Sequence, residues 1–149
     1  MAVKKFWNIF AFCAVCAAVL FGCNGKKNDQ FQSQSKVVTA ITVIYENGNL
    51  RRQSVYTADN KMRAILNYLR WIDPYGTPAE DPESVDGSAY RITITFSNGG
   101  TKQYVQKADR YMRLDGQPWQ SIDPKNAATL GQMLAKMESD EDVQTILMW

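Results

Sequence analysis

From residue 37 onward the apolar positions follow two different periods, and each change of period marks an element. Val37-Val38-Thr39-Ala40-Ile41-Thr42-Val43-Ile44-Tyr45 is dense in β-branched side chains, which fit a pleated, half-buried surface. It predicts a strand that ends at the turn pair Asn47-Gly48 and returns as a hairpin over residues 50–56. The period then lengthens. Met62, Ile65, Leu66, Leu69 and Ile72 recur at helical spacing along one face, with Thr57 or Asp59 as the candidate N-cap. Asp73-Pro74 ends this helix, because a residue before proline is pushed out of the α region.

Residues 73–89 hold Pro74, Gly76, Pro78, Pro82 and Gly87 among five acids and predict a long loop. Period two follows: Tyr90, Ile92, Ile94 and Phe96 alternate with Arg91, Thr93 and Thr95, as in a strand with one buried face. Asn98-Gly99-Gly100 turns this strand into residues 101–107. A further hairpin is expected from residues 111–114 and 118–122, meeting at Asp115-Gly116. Asp123-Pro124 supplies an N-cap and a first-turn proline for a second helix with the stripe Leu130, Met133, Leu134 and Met137. The last residues pass from acidic (138–142) to apolar (143–149). Such an end either docks as an edge strand or is offered to a partner, and docking is expected because exposed apolar ends invite aggregation. The expected fold class is α+β: an antiparallel sheet of four to six strands built from hairpins, with two amphipathic helices packed on one face.

An internal similarity runs through this pattern. Residues 41–48 align with 92–99, and Ala58-Asp59-Asn60-Lys61-Met62-Arg63 resembles Ala108-Asp109-Arg110-Tyr111-Met112-Arg113. Either the chain is duplicated or strand-turn chemistry has recurred; recurrence is favoured, since Asn-Gly between β-branched runs appears wherever hairpins do.

The amino-terminal region follows neither period. Lys4 and Lys5 precede an apolar run, Phe6 to Phe21, that closes in Leu20-Phe21-Gly22-Cys23. A cationic stretch, an apolar stretch and a small residue before the cut describe an export signal. With a cysteine at the cut, residues 1–23 resemble a bacterial lipoprotein signal. The rest of the chain resembles, loosely, small and largely uncharacterised cell-envelope lipoproteins with a hairpin-rich C-terminal half that includes residues 111–119. The resemblance implies diacylglyceryl transfer to the Cys23 thiol and cleavage after Gly22. A membrane-spanning reading of the same run is short, at about 24 Å against roughly 30 Å of hydrocarbon. The expected organisation is a signal peptide over 1–22, a lipidated flexible tether over 23–35 and one globular domain over 36–149. The expected address is an export route ending in lipid anchorage to a bacterial membrane. That membrane is the outer one in a Gram-negative cell, and otherwise the outer face of the cell membrane.

Charge and cysteine use narrow the chemistry. Lys4 and Lys5 lie in the leader, leaving fifteen basic residues against fifteen acidic ones. A neutral domain argues against a nucleic-acid partner, which needs clustered Lys and Arg to neutralise phosphates. Cys13 and Cys16 also fall in the leader, so the processed chain keeps Cys23 alone and forms no disulfide. With no histidine anywhere, His-assisted nucleophiles and imidazole or thiolate metal sites are excluded. The serines lie in no Gly-x-Ser-x-Gly elbow. No cofactor is expected.

Two candidate sites remain. Glu80, Asp81, Glu83 and Asp86 in the long loop are weak candidates for a cation site, without the spacing of a known calcium loop. Tyr111 and Arg113, alternate residues of one strand, could form with Trp119 an exposed amphipathic patch of the composition enriched at interfaces. The bland alternative is a cross-strand aromatic pair closing the sheet. Trp71 and Tyr90 are read as core or core edge. These features favour a membrane-anchored binding module for an envelope protein or glycan over an enzyme, with a carboxylate-based hydrolase or a cation-binding module as the alternative.

Overall fold

The computed structural model describes residues 37–140 and 143–148. The expected leader, Cys23, the tether and Trp149 lie outside the described residues. Strand β1 (Val38–Asn47) pairs with β2 (Leu50–Tyr56) in the register Asn47↔Leu50, so the turn residues are Gly48-Asn49, one position later than expected. The shift follows from backbone chemistry. Gly48 sits at φ +57° in the first of two turn positions, where a tight hairpin needs the left-handed region that glycine enters without steric cost.

Helix α1 (Asp59–Trp71) begins after Ala58, which offers no side-chain cap, so neither Thr57 nor Asp59 caps it. Asp59 lies in the first turn and pairs with Arg63. The helix ends at Ile72, as Asp73-Pro74 requires. Strand β3 (Ala89–Phe96) and strand β4 (Thr101–Lys107) form the second hairpin, followed by β5 (Tyr111–Leu114) and a short β6 (Gln120–Ser121). Helix α2 (Pro124–Met137) starts as expected: the Asp123 carboxylate accepts from the backbone N–H groups of Lys125 (2.8 Å) and Asn126 (3.2 Å). The apolar end docks as β7 (Gln144–Met148) against β2.

The sheet is antiparallel throughout, in the order β6-β5-β4-β3-β1-β2-β7. Seven strands replace the expected four to six. The seventh is the docked apolar end, β7, whose partner β2 lies about ninety residues away in sequence, a choice of partner that no local pattern announces. The central registers Ile41↔Ile94, Val43↔Ile92 and Ile41↔Tyr56 align the inward residues into one fully buried face. Met62, Ile65 and Leu69 of α1 and Ala127, Leu130 and Leu134 of α2 are buried with them. Each such side chain contributes about 1.5–3 kcal/mol of hydrophobic stabilisation.

Gln106, on this face of β4, is fully buried and joins the layers. Its Oε1 accepts from the Tyr68 hydroxyl of α1, and its Nε2 donates to the Ala127 carbonyl of α2 (3.2 Å) and to Asp109 (3.0 Å). A buried amide with its partners in place costs little, whereas one left bare costs about 1–3 kcal/mol. Helices account for only part of the cover. At the β4–β5 end the opposite face is overlaid by the loop 73–88, which buries Val105, Tyr111 and Pro82.

The internal similarity stops at the hairpins. Residues 58–63 open a helix, whereas Ala108 and Asp109 hold left-handed φ values of 52° and 49° in the β4–β5 turn and residues 111–113 are strand.

Candidate functional site

Tyr111 and Arg113 project from the same face of β5, and the registers Lys107↔Tyr111 and Val105↔Arg113 place them beside Lys107 and Val105 of β4. This is the face opposite the helices. The loop 73–88 crosses it in a single 3-10 turn, Pro82–Ser84, started by the Asp81 carboxylate accepting from the Glu83 N–H at 3.0 Å. The Lys107 ammonium donates to the Glu83 carbonyl (2.9 Å) and holds the turn down.

The Glu83 side chain organises the cluster. Its Oε1 lies 3.1 Å from Arg113 Nη2 and accepts from Trp119 Nε1 at 3.3 Å. The Arg113 guanidinium lies 4.5 Å from the centroid of the Trp119 ring, so it is held between a carboxylate and a π face. The exposed ion pair contributes about 0–1 kcal/mol and the cation–π contact about 0.5–1 kcal/mol. Their main effect is to fix orientation. Beside them Glu80 accepts from the Tyr111 hydroxyl and lies 3.9 Å from Arg110. The hydrogen bond to Glu80, then burial, then that carboxylate's charge raise the Tyr111 pKa.

The two sequence candidates are therefore one cluster. Glu80 and Glu83 meet Tyr111, Arg113 and Trp119, while Asp81 is spent as a cap and Asp86 joins none of these contacts. Among the described residues no three Asp, Glu, His or Cys side chains converge as metal ligands. Tyr111 is only 6% exposed, so it supports the patch from beneath and is not part of its surface. Trp119 is half-buried, with one side packed by Arg113.

Trp71 departs from expectation: it is 81% exposed at the end of α1, one position off the buried stripe that ends at Ile72. Four residues on, Tyr75 adds a backbone bridge to the outer side of β6, donating to the Ser121 carbonyl at 2.8 Å and accepting from its N–H at 3.0 Å, while its ring stays exposed. The β6 edge thus carries exposed Tyr75 together with half-buried Trp119 and Arg113. Tyr90 is half-buried on the helix face, its ring 5.0 Å from that of Tyr45.

A second polar cluster lies on the helix side. Glu138 at the C-cap of α2 is 2.8 Å from Arg52 and accepts from the hydroxyls of Ser54 (2.8 Å) and Tyr56 (3.4 Å), and Ser54 also meets Thr145 of β7 at 3.1 Å. Its sequence signal is the placement of Arg52 and Ser54 at inward positions of β2, in step with Tyr56. Glu138 is too distant in sequence for any spacing to mark it.

No helix among the described residues is long and apolar enough to cross a membrane. Comparison with family models, curated proteins and solved structures finds no match to this chain.

Proposed function

We propose that this protein is an exported, lipid-anchored lipoprotein of the bacterial cell envelope, held by lipid on Cys23, whose domain over residues 36–149 is a binding module for an envelope protein or glycan. The contact surface in this reading is the β6 edge, with Arg113 and Trp119 at its centre and Tyr75 on the outer side of β6.

The observation that carries the reading is the placement of the Arg113 guanidinium between Glu83 and the Trp119 ring. Arg, Trp and Tyr are the residues enriched at binding hot spots, and side chains already fixed lose less conformational entropy when a partner arrives. The loop carboxylates support binding over catalysis, because Glu80 and Glu83 are engaged by hydrogen-bond donors and cations instead of facing one another across a cleft.

The test is chemical crosslinking of the native protein in its own membrane, comparing wild type with the Arg113→Ala/Trp119→Ala double variant. A discrete adduct reduced at least about tenfold in the double variant is expected, as for loss of hot-spot residues. Equal recovery from a folded double variant would contradict the reading.

A further inference from the structure

The two similar stretches, residues 41–48 and 92–99, end in the same dipeptide, Asn47-Gly48 and Asn98-Gly99, yet their hairpins close differently. A third Asn-Gly, Asn24-Gly25, lies outside the described residues. The β1–β2 ladder runs up to Asn47↔Leu50, so Gly48 and Asn49 alone make the turn. In a turn of two residues the closing pair exchanges its own hydrogen bonds, and the N–H of the first turn residue is left over. Gly48 N–H accordingly has no acceptor among the described residues. The β3–β4 ladder stops at Thr95↔Thr101, and its longer loop holds the corresponding group: Gly99 N–H donates to the Phe96 carbonyl at 2.9 Å. The carboxamides differ as well. Asn98 Oδ1 accepts from the Gly100 N–H at 3.1 Å, whereas the Asn47 carboxamide has a single contact, Nδ2 donating to the Tyr45 hydroxyl at 3.2 Å. Both dipeptides are exposed, so access of solvent does not separate them.

We propose that Asn47 is a site of spontaneous deamidation, its carboxamide attacked by the backbone nitrogen of Gly48, and that the fold protects Asn98 from the same reaction. Gly48 N gives its proton to hydroxide and attacks Asn47 Cγ. The N–Cγ bond forms, the Cγ–Nδ2 bond breaks, and ammonia leaves with a proton taken from water, closing a succinimide ring. Water then adds to one of the two ring carbonyls. Opening at Cγ breaks the new N–Cγ bond and leaves an aspartate at position 47. Opening at the backbone carbonyl breaks the original peptide bond and leaves an isoaspartyl link, with the chain running through Cγ. Either route takes up water and releases ammonia, with no oxidation or reduction.

Both reacting atoms belong to one dipeptide, so ring closure needs only bond rotation within Asn47 and a nitrogen that nothing else holds. Glycine leaves the approach to that nitrogen open, because it carries no Cβ. The rotation opens the Asn47↔Leu50 pair, the last of its ladder and exposed on both sides, where local opening costs least. At Asn98 the Gly99 nitrogen must first be released from Phe96. The product at position 47 sets a carboxylate beside Glu46 and no longer donates to Tyr45, and the isoaspartyl form lengthens the backbone of β1 at the pair that closes the hairpin. The inference stands apart from the β6-edge surface, since its test reads conversion at two asparagines and not binding.

The test incubates the full-length protein in detergent at mildly alkaline pH, with and without unfolding urea, and follows aspartate and isoaspartate at positions 47 and 98 by peptide mapping and mass spectrometry. In the folded protein conversion at Asn47 is expected to be at least about fivefold faster than at Asn98, equivalent to about 1 kcal/mol for the hydrogen bond that Gly99 must give up. In urea, where neither turn is formed, the two rates are expected to converge. Equal rates in the folded protein, or faster conversion at Asn98, would overturn the proposal. So would an excess at Asn47 that persists undiminished in urea, since it would then come from the neighbouring residues and not from the hairpin.

Discussion

The Ser54 hydroxyl on β2 donates to Glu138 at the C-cap of α2 at 2.8 Å, joining residues 84 positions apart. The same carboxylate faces Arg52 at 2.8 Å, and Arg52 Nε is buried with no partner among the described residues. Glu138 is therefore the group that balances a partly buried guanidinium. Glu138→Ala is expected to destabilise the domain by about 2–3 kcal/mol, below the usual cost of breaking a buried pair because the Arg52 side chain is about one-third exposed. Ser54→Ala, at a fully buried position, is expected to cost about 1–2 kcal/mol. The two losses share a partner and will not add. Urea unfolding midpoints of the two single variants and of the Ser54→Ala/Glu138→Ala double variant measure these losses, and a wild-type midpoint for Glu138→Ala would contradict this account.

Gly131 in α2 faces the hydroxyl of Tyr90, and a Cβ added there would lie 2.7 Å from that oxygen. Alanine gains about 1 kcal/mol of helix propensity over glycine, but overpacking costs about 1–3 kcal/mol. The Tyr90 ring is backed by Tyr45 and has little room to retreat. Gly131→Ala alone is expected to lower the melting temperature. With Tyr90→Phe the nearest ring atom lies 3.7 Å away, and the same alanine becomes neutral or stabilising. Thermal melts of the four proteins of this cycle read the change of sign.

Alkaline pH should unfold the domain through its tyrosines. Burial first, then the Glu138 carboxylate, pushes the Tyr56 hydroxyl far above the usual tyrosine range, and burial does the same to Tyr68. Tyr90 is pushed up to about 12, and Tyr104 is raised, in both cases chiefly by burial. A group whose folded pKa is raised adds stability below its unfolded pKa of about 10 and loses it as pH climbs toward the folded value. Stability is expected to hold up to about pH 10 and fall between about 10 and 12. Phenolate absorbance should then rise together with loss of the circular dichroism signal. Smooth ionisation near pH 10 in a folded protein would contradict the burial described here.

The proposed anchorage depends on one thiol, that of Cys23. Cells grown with a fatty-acid analogue are expected to label wild type and not Cys23→Ala, which should also leave the membrane fraction. Equal label in both would contradict the lipoprotein reading.

The local parts of this fold were legible in the sequence, and the distant parts were not. Asp123-Pro124 announced the start of α2 because cap and first-turn proline are adjacent in sequence, and alternation from Tyr90 to Phe96 announced β3. The start of α1 was misread because Thr57 and Asp59 both fit a cap, whereas the end of β2 at Tyr56 places Ala58 there. Trp71 was misread as core edge, although Met62, Ile65, Leu69 and Ile72 already define a face that leaves position 71 outside. The meeting of the acidic loop with the aromatic strand pair was beyond reach. Glu83 and Arg113 stand thirty residues apart with no period between them, and only the sheet order and the returning loop bring them to 3.1 Å. Each was singled out for a separate chemistry, and each proved to satisfy the other.

The most direct test of the central claim places a photo-crosslinking residue at Gln117, exposed in the β5–β6 turn beside Trp119, or at Lys136, exposed on α2. Irradiation in intact membranes is expected to give a discrete adduct from position 117 that disappears with Trp119→Ala, and none from position 136. Equal adducts from both positions, or none from position 117, would contradict a binding surface centred on Arg113 and Trp119.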